Sequence, residues 1–109
     1  MSDLTTNPLV SPAIADFGNE HVIATVDEKG KELRYVLLTN NKIAKIREGK
    51  GKDVEKATMI SNGDQSKYLT AMMAATIEIE DKPVIMEDLG DLGMKDYMRL
   101  QLAFSDINF

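Results

Sequence analysis

The chain has 109 residues, 43% hydrophobic and 28% charged, which is the composition of one ordinary globular domain and excludes a largely disordered chain. Its 18 acidic residues outnumber its 13 basic ones, and the net charge of -5 disfavours binding to nucleic acid or to an anionic membrane. The absence of cysteine excludes a disulfide framework and thiol chemistry, so we expect a reducing, cytoplasmic compartment. No stretch approaches the roughly 18 apolar residues of a membrane-spanning helix, and we expect no signal peptide.

The first part of the chain carries no regular pattern. Residues 1–19 include Pro8 and Pro12, contain no basic residue and show neither helical nor strand periodicity. We therefore predict a flexible N-terminal arm over residues 1–19 and a single domain over residues 20–109.

A strand pattern begins near His21. The segments Val22–Val26 and Leu33–Leu38 are rich in β-branched and aromatic residues, and the polar segment between them contains Gly30. This order predicts a β-hairpin with Gly30 in a left-handed turn position. The segment from Asn41 to Arg47 is compatible with a third strand or with an extended connection.

The second predicted strand is apolar on both sides. Alternation places Leu33, Tyr35 and Leu37 on one face, and the opposite face also carries apolar residues, Val36 and Leu38. We therefore expect both faces of this strand to be at least partly covered.

After Gly49 and Gly51 the apolar period changes from two to 3.6, which predicts helices. We predict them at 52–60, 65–79 and 94–104, with a loop or short turn between the last two. The end of the second helix stays open, because Thr76 to Glu80 alternates like a strand. The predicted fold class is α+β: an N-terminal β-hairpin or small antiparallel sheet followed by about three α-helices.

No group of residues has the spacing of a catalytic or metal site. His21 is the only histidine and has no partner ligand nearby in the sequence. The segment from Gly49 to Lys52 lacks the earlier glycine and the following hydroxyl residue of a phosphate-binding loop. The acidic residues lack the spacing of a calcium loop: Glu87, Asp88, Asp91 and Asp96. We expect no enzyme activity, no cofactor and no metal.

The last predicted helix carries more apolar residues than one buried stripe requires. Tyr97, Leu100 and Phe104 share one face, which we assign to the core. Methionine is frequent in this half of the chain, and it serves either as core filling or as an adaptable binding surface. We predict that a protein partner, or a second copy of the chain, binds the neighbouring face: Met94, Met98 and Leu102.

A longer pattern runs through the chain after the hairpin: a basic residue, a short loop ending in Asp at a helix start, and a leucine–aspartate pattern before the terminal helix. The residues that form it are Arg47, Gly51, Asp53, Ala57, Leu89, Leu92, Asp96, Tyr97, Leu100 and Phe104. Together with the hairpin, this order of elements resembles the phage tail assembly chaperone family of Mu-like and related contractile-tailed phages. The resemblance extends over residues 22–104.

This resemblance implies an assembly factor of the host bacterial cytoplasm that binds the tape measure protein, helps to recruit tail tube subunits and does not enter the virion. A structural tail or baseplate-associated protein, retained in the particle through strand addition by the hairpin, is the main alternative. A small regulatory adaptor is a third possibility. All three functions depend on protein binding and need no chemistry.

Overall fold

The computed structural model describes residues 11–109, so the first ten residues of the predicted arm lie outside the described part. The strands are β1 (Val22–Val26), β2 (Glu32–Leu37), β3 (Ile43–Arg47), β4 (Ile77–Ile79) and β5 (Lys82–Pro83). The α-helices are α1 (Gly51–Ser61), α2 (Gln65–Thr76), α3 (Met86–Gly90) and α4 (Met94–Asn108), and a short 3-10 helix covers Ile14–Phe17. The fold is α+β, as predicted.

The strands form one antiparallel sheet in the order β1-β2-β3-β4-β5. The predicted hairpin is confirmed: Val22 lies opposite Val36, and Gly30 at the turn has a φ of 82°. The segment from Asn41 to Arg47, predicted to be either a third strand or an extended connection, contains a strand, β3. Helices α1 and α2 are inserted between β3 and β4, so the chain leaves the sheet and returns beside the same strand.

The structure decides where the second predicted helix ends. Helix α2 stops at Thr76, and Ile77–Ile79 pairs with β3 instead. Ile77 and Ile79 alternate with Glu78, which is the pattern of a half-buried strand. Isoleucine is also β-branched, and β-branched residues favour a strand over another helical turn. Glu80 and Asp81, with φ of 52° and 64°, then turn the chain into β5. The helix predicted over 65–79 is therefore three residues too long.

Two further boundaries differ from the prediction. The segment expected to be a loop contains α3, in which the Asp88 carboxylate accepts a 2.9 Å hydrogen bond from the Ile85 backbone and Leu89 is fully buried. Helix α4 ends at Asn108 and not at Phe104. Its last turn is held by side-chain contacts to distant parts of the chain, which local periodicity does not reveal.

The sheet has apolar residues on both faces, as expected from β2. On one face, the main core combines sheet residues such as Val36 and Ile46 with Met73 of α2 and with Leu100 and Phe104 of α4. On the other face, a smaller cluster consists of Phe17, Leu33 and Tyr35. Alternating residues of one strand thus belong to two separate clusters.

Phe17, in the described part of the predicted arm, is buried against the sheet. Its side chain is only 3% exposed, whereas Ile14 in the same 3-10 helix is 47% exposed. The Asp16 carboxylate accepts a 2.8 Å hydrogen bond from the backbone of Ala13 and closes this turn. One aromatic side chain can cover an apolar patch of a sheet without any periodic pattern around it, so sequence periodicity could not reveal the contact.

We predict that Phe17→Ala lowers the free energy of unfolding by about 3 kcal/mol, because truncating a buried aromatic side chain removes apolar contacts and leaves a cavity. Denaturant titration would measure the change. The control is Ile14→Ala in the same turn, which should cost about 0.5 kcal/mol or less, as exposed positions usually do. Equal losses in the two variants would contradict the burial of Phe17.

Candidate protein-binding site

The three residues predicted to bind a partner form an exposed stripe on α4. Met94, Met98 and Leu102 are 84%, 46% and 67% exposed and lie at i, i+4 and i+8, on one side of the helix. Leu100 and Phe104 are buried on the opposite side. We call Met94, Met98 and Leu102 the α4 stripe. Its exposure agrees with the predicted division of the helix into a core face and an outer face.

The first half of α4 is fixed to the sheet and to α2. The buried Asp96 carboxylate accepts hydrogen bonds from the backbone N–H of Thr39, at 3.0 Å, and from its hydroxyl, at 2.8 Å. Arg99 donates to the backbone oxygen of Leu37 at 2.9 Å. On the side facing α2, the hydroxyls of Tyr97 and Thr70 lie 2.7 Å apart. These contacts fix the rotation of the helix about its axis.

The second half of α4 is fixed as well. Arg34 of β2 donates two hydrogen bonds to the Asp106 carboxylate, at 3.0 Å and 2.8 Å, and its side chain is only 11% exposed. The Asn108 side-chain oxygen accepts a 2.7 Å hydrogen bond from the backbone of Gly49. Because both ends are held, the α4 stripe cannot turn into the core, and its apolar side chains are presented to solvent in a defined orientation.

Phe109, directly after α4, adds to the exposed apolar surface. Its ring contacts that of Phe104 edge to face, with centroids 5.7 Å apart, and its own side chain stays largely exposed. The sequence did not point to this residue, because the helix was expected to end at Phe104.

A second apolar surface lies between α1, α2 and the segment before α3. It is a groove of about 570 Å³ that contains the exposed Ile60 and Ile85, with Lys56 and Lys67 also in its wall. Sequence reasoning missed this groove. The one available signal is the small size of the core-facing α1 residues, such as Ala57, which leaves the larger side chains of that helix outside.

Residues that carry the resemblance meet where β3 joins α1. The Arg47 guanidinium donates two 2.9 Å hydrogen bonds to the Asp53 carboxylate and a third, at 2.8 Å, to the backbone oxygen of Ala75 in α2. Asp53 also accepts a 2.8 Å hydrogen bond from the Lys50 backbone. The pKa of Asp53 lies below its ordinary value, chiefly because of the hydrogen bonds from Arg47. This pair ties β3, α1 and α2 together.

Other residues of the resembling pattern also have structural roles. Leu89 and Leu100 are fully buried, as is Ala57 of α1. Asp96 holds the end of β2 through Thr39. The pattern therefore marks positions that build the fold, and the α4 stripe lies next to them.

Several of the rejected catalytic and metal candidates form hydrogen bonds within the protein itself. Lys50 donates its backbone N–H to Asp53, so a side chain of the protein already occupies the start of α1. Asp88 and Asp96, two members of the acidic group, bind backbone groups of Ile85 and Thr39. Over residues 11–109, no three His, Cys, Asp or Glu side chains are grouped so as to hold a metal ion.

Within the described residues, none of the helices combines the length and the apolar character needed to cross a membrane. Comparisons of the chain with protein-family models, with curated proteins and with solved structures give no match.

We predict that Asp53→Asn lowers the free energy of unfolding by about 1–2 kcal/mol near neutral pH, because it removes a charge-assisted contact that solvent around Arg47 partly screens. The difference in the free energy of unfolding between wild type and Asp53→Asn should also become smaller in acid. The carboxyl has its ordinary pKa near 3.8 when unfolded and a lower pKa when folded, so the unfolded chain binds the proton first as the pH falls below 3.8.

Urea titrations of both proteins from neutral pH down into this acid range would measure the difference. Glu55→Gln, which removes one negative charge from an exposed position of the same helix, is the matched control and should have little effect near neutral pH. A difference between wild type and Asp53→Asn that does not shrink in acid would contradict the pairing.

Proposed function

We propose that this chain is a non-enzymatic binding protein that holds an apolar, helical segment of a partner protein against the α4 stripe. One observation carries the proposal: Met94, Met98 and Leu102 stay exposed on a helix whose opposite face is buried and whose two ends are hydrogen-bonded to the rest of the fold. A partner helix with apolar residues at helical spacing would cover such a stripe.

The chemistry of the stripe suits a partner with a variable surface. Two of its three residues are methionines, whose flexible and polarisable side chains adapt to differently shaped apolar neighbours. The fixed helix backbone reduces the conformational entropy lost on binding, since only the side chains must become ordered.

Within this class, we propose a phage tail assembly chaperone that binds the tape measure protein and helps to recruit tail tube subunits in the host bacterial cytoplasm. The order of elements and the residue pattern from Arg47 to Phe104 support this assignment. A tape measure protein is long and helical, and it needs its apolar surface covered before the tail forms. No cofactor is required for this task.

A structural tail or baseplate-associated protein retained in the virion is the second candidate. The observation that favours it is the position of β1, which has a strand neighbour on one side only in the described part of the chain. A strand edge of this kind can extend the sheet of a neighbouring protein.

The test is co-expression with the tape measure protein encoded by the same phage or prophage. We expect the wild-type chain to keep that protein soluble and to co-purify with it. Leu102→Asp and Met98→Asp should weaken the complex at least about 100-fold, because each places a charge in an apolar contact. The free energy of unfolding of each isolated variant should lie within about 0.5 kcal/mol of the wild-type value, since both sites are exposed.

Met59→Asp is the matched control, because Met59 is 79% exposed and belongs to α1, not to α4. It introduces the same chemical change as Met98→Asp and should leave the complex intact. Equal binding by all three variants would contradict the assignment of the α4 stripe.

Mass spectrometry of purified phage particles would separate the two candidate functions. A chaperone leaves before the particle is complete, so we expect no peptides from this chain in finished virions. Its presence at the abundance of a tail component would contradict the chaperone assignment and support the structural alternative.

A further inference from the structure

Strand β1 presents hydrogen-bonding groups outward along the edge of the sheet. The Leu37 backbone N–H donates to the oxygen of His21, and that of Asp27 donates to the oxygen of Lys31, both at 2.8 Å. In an antiparallel ladder, residues alternate between bonding to the partner strand and pointing away from it. Val22, Ala24 and Val26 therefore direct their N–H and C=O groups outward, where the described part of the chain supplies no further strand.

The two edges of the sheet differ in how they are protected. The opposite edge is β5, which has only two residues, Lys82 and Pro83. A short edge strand with a lysine and a proline is a common device against pairing with another chain. Strand β1 has five residues, VIATV, with no proline and no charge, and Val22 and Val26 are 40% and 45% exposed.

We propose that β1 pairs with the β1 strand of a second copy of this chain, antiparallel and centred on Ala24. The proposal uses a surface separate from the α4 stripe and does not depend on the proposed function. In this register Ala24 faces the partner's Ala24 and Val22 faces the partner's Val26. All three outward-pointing residues of each strand then join the ladder, with six backbone hydrogen bonds across the twofold axis.

The residues that flank the strand favour a second copy over an unrelated partner. The same register places His21 opposite the partner's Asp27, at a position where side chains of paired strands approach closely. An imidazole can donate a hydrogen bond to a carboxylate, and the twofold axis makes this contact twice. Asp27 is already held in place, because its Oδ1 accepts hydrogen bonds from the backbones of Lys29 and Lys31.

The faces of the strand also match. Val22, Ala24 and Val26 lie on the side of the sheet that carries the helices, and in an antiparallel pair opposite residues point to the same side. Each exposed valine would therefore contact a valine of the partner, so the apolar strip along the edge would become the centre of a continuous sheet.

Sedimentation velocity of the full chain, from about 1 µM to about 1 mM, tests the proposal across weak protein–protein affinities. We expect the mass to rise from the monomer value of 12.1 kDa towards twice that value. Ala24→Lys and Ala24→Glu should each weaken self-association at least about tenfold, because they place like charges directly opposite each other. Ala24→Val, which keeps an apolar strand-forming residue there, is the matched control and should still dimerise.

An equal mixture of Ala24→Lys and Ala24→Glu provides the register test, since it pairs opposite charges at the same site. We expect the mixture to regain a dimer that contains one copy of each variant, measured by native mass spectrometry. Thermal melting should show that every variant is folded, and Leu102→Asp should dimerise like wild type. A wild type that stays monomeric at all concentrations, as it would if β1 joined a different protein, overturns the proposal. So does a mixture that stays monomeric, or a dimer that Leu102→Asp abolishes.

Discussion

The attachment of α4 to the sheet is the constraint on which the candidate binding surface depends. An amphipathic helix with apolar residues around much of its circumference has more than one face that can enter a core. Asp96 and Asp106 remove this ambiguity, because one carboxylate binds Thr39 after β2 and the other binds Arg34 within β2. Rotating the helix to bury Met98 or Leu102 would break these contacts and leave the buried Asp96 carboxylate without partners.

The sequence was most informative where one signal covered several residues. The hairpin, the two-sided β2 and the core face of α4 follow from simple periodicity, and tertiary structure did not override it. Thr76–Glu80 is different, because its alternation fits a strand while the preceding residues fit a helix. Pairing of Ile77 and Ile79 with β3 decides the outcome, and that pairing depends on how α1 and α2 return the chain to the sheet.

Most of the contacts that sequence periodicity could not reveal are made by single side chains. Phe17 docks on the outer face of the sheet from a segment without any pattern, and Phe109 contacts Phe104 from beyond the predicted end of α4. The groove beside Ile60 and Ile85 depends on how the segment before α3 packs against the pair α1 and α2, from which β4 and β5 separate it in the sequence. The α4 stripe was predictable because all its members lie on one helix, where spacing alone defines a face.

The two proposed surfaces are compatible in geometry. Helix α4 packs over β2 and β3, whereas β1 is the outermost strand of the sheet and has no strand neighbour on its outer side within residues 11–109. Pairing through Ala24 has its twofold axis perpendicular to the sheet, so both copies of α4 would lie on the same side of one continuous sheet. Because this axis reverses directions within the plane of the sheet, two antiparallel copies of the α4 stripe would then lie exposed on that same side. For a long helical partner, the second contact would form at a high effective concentration, so even a weak single contact would give durable binding.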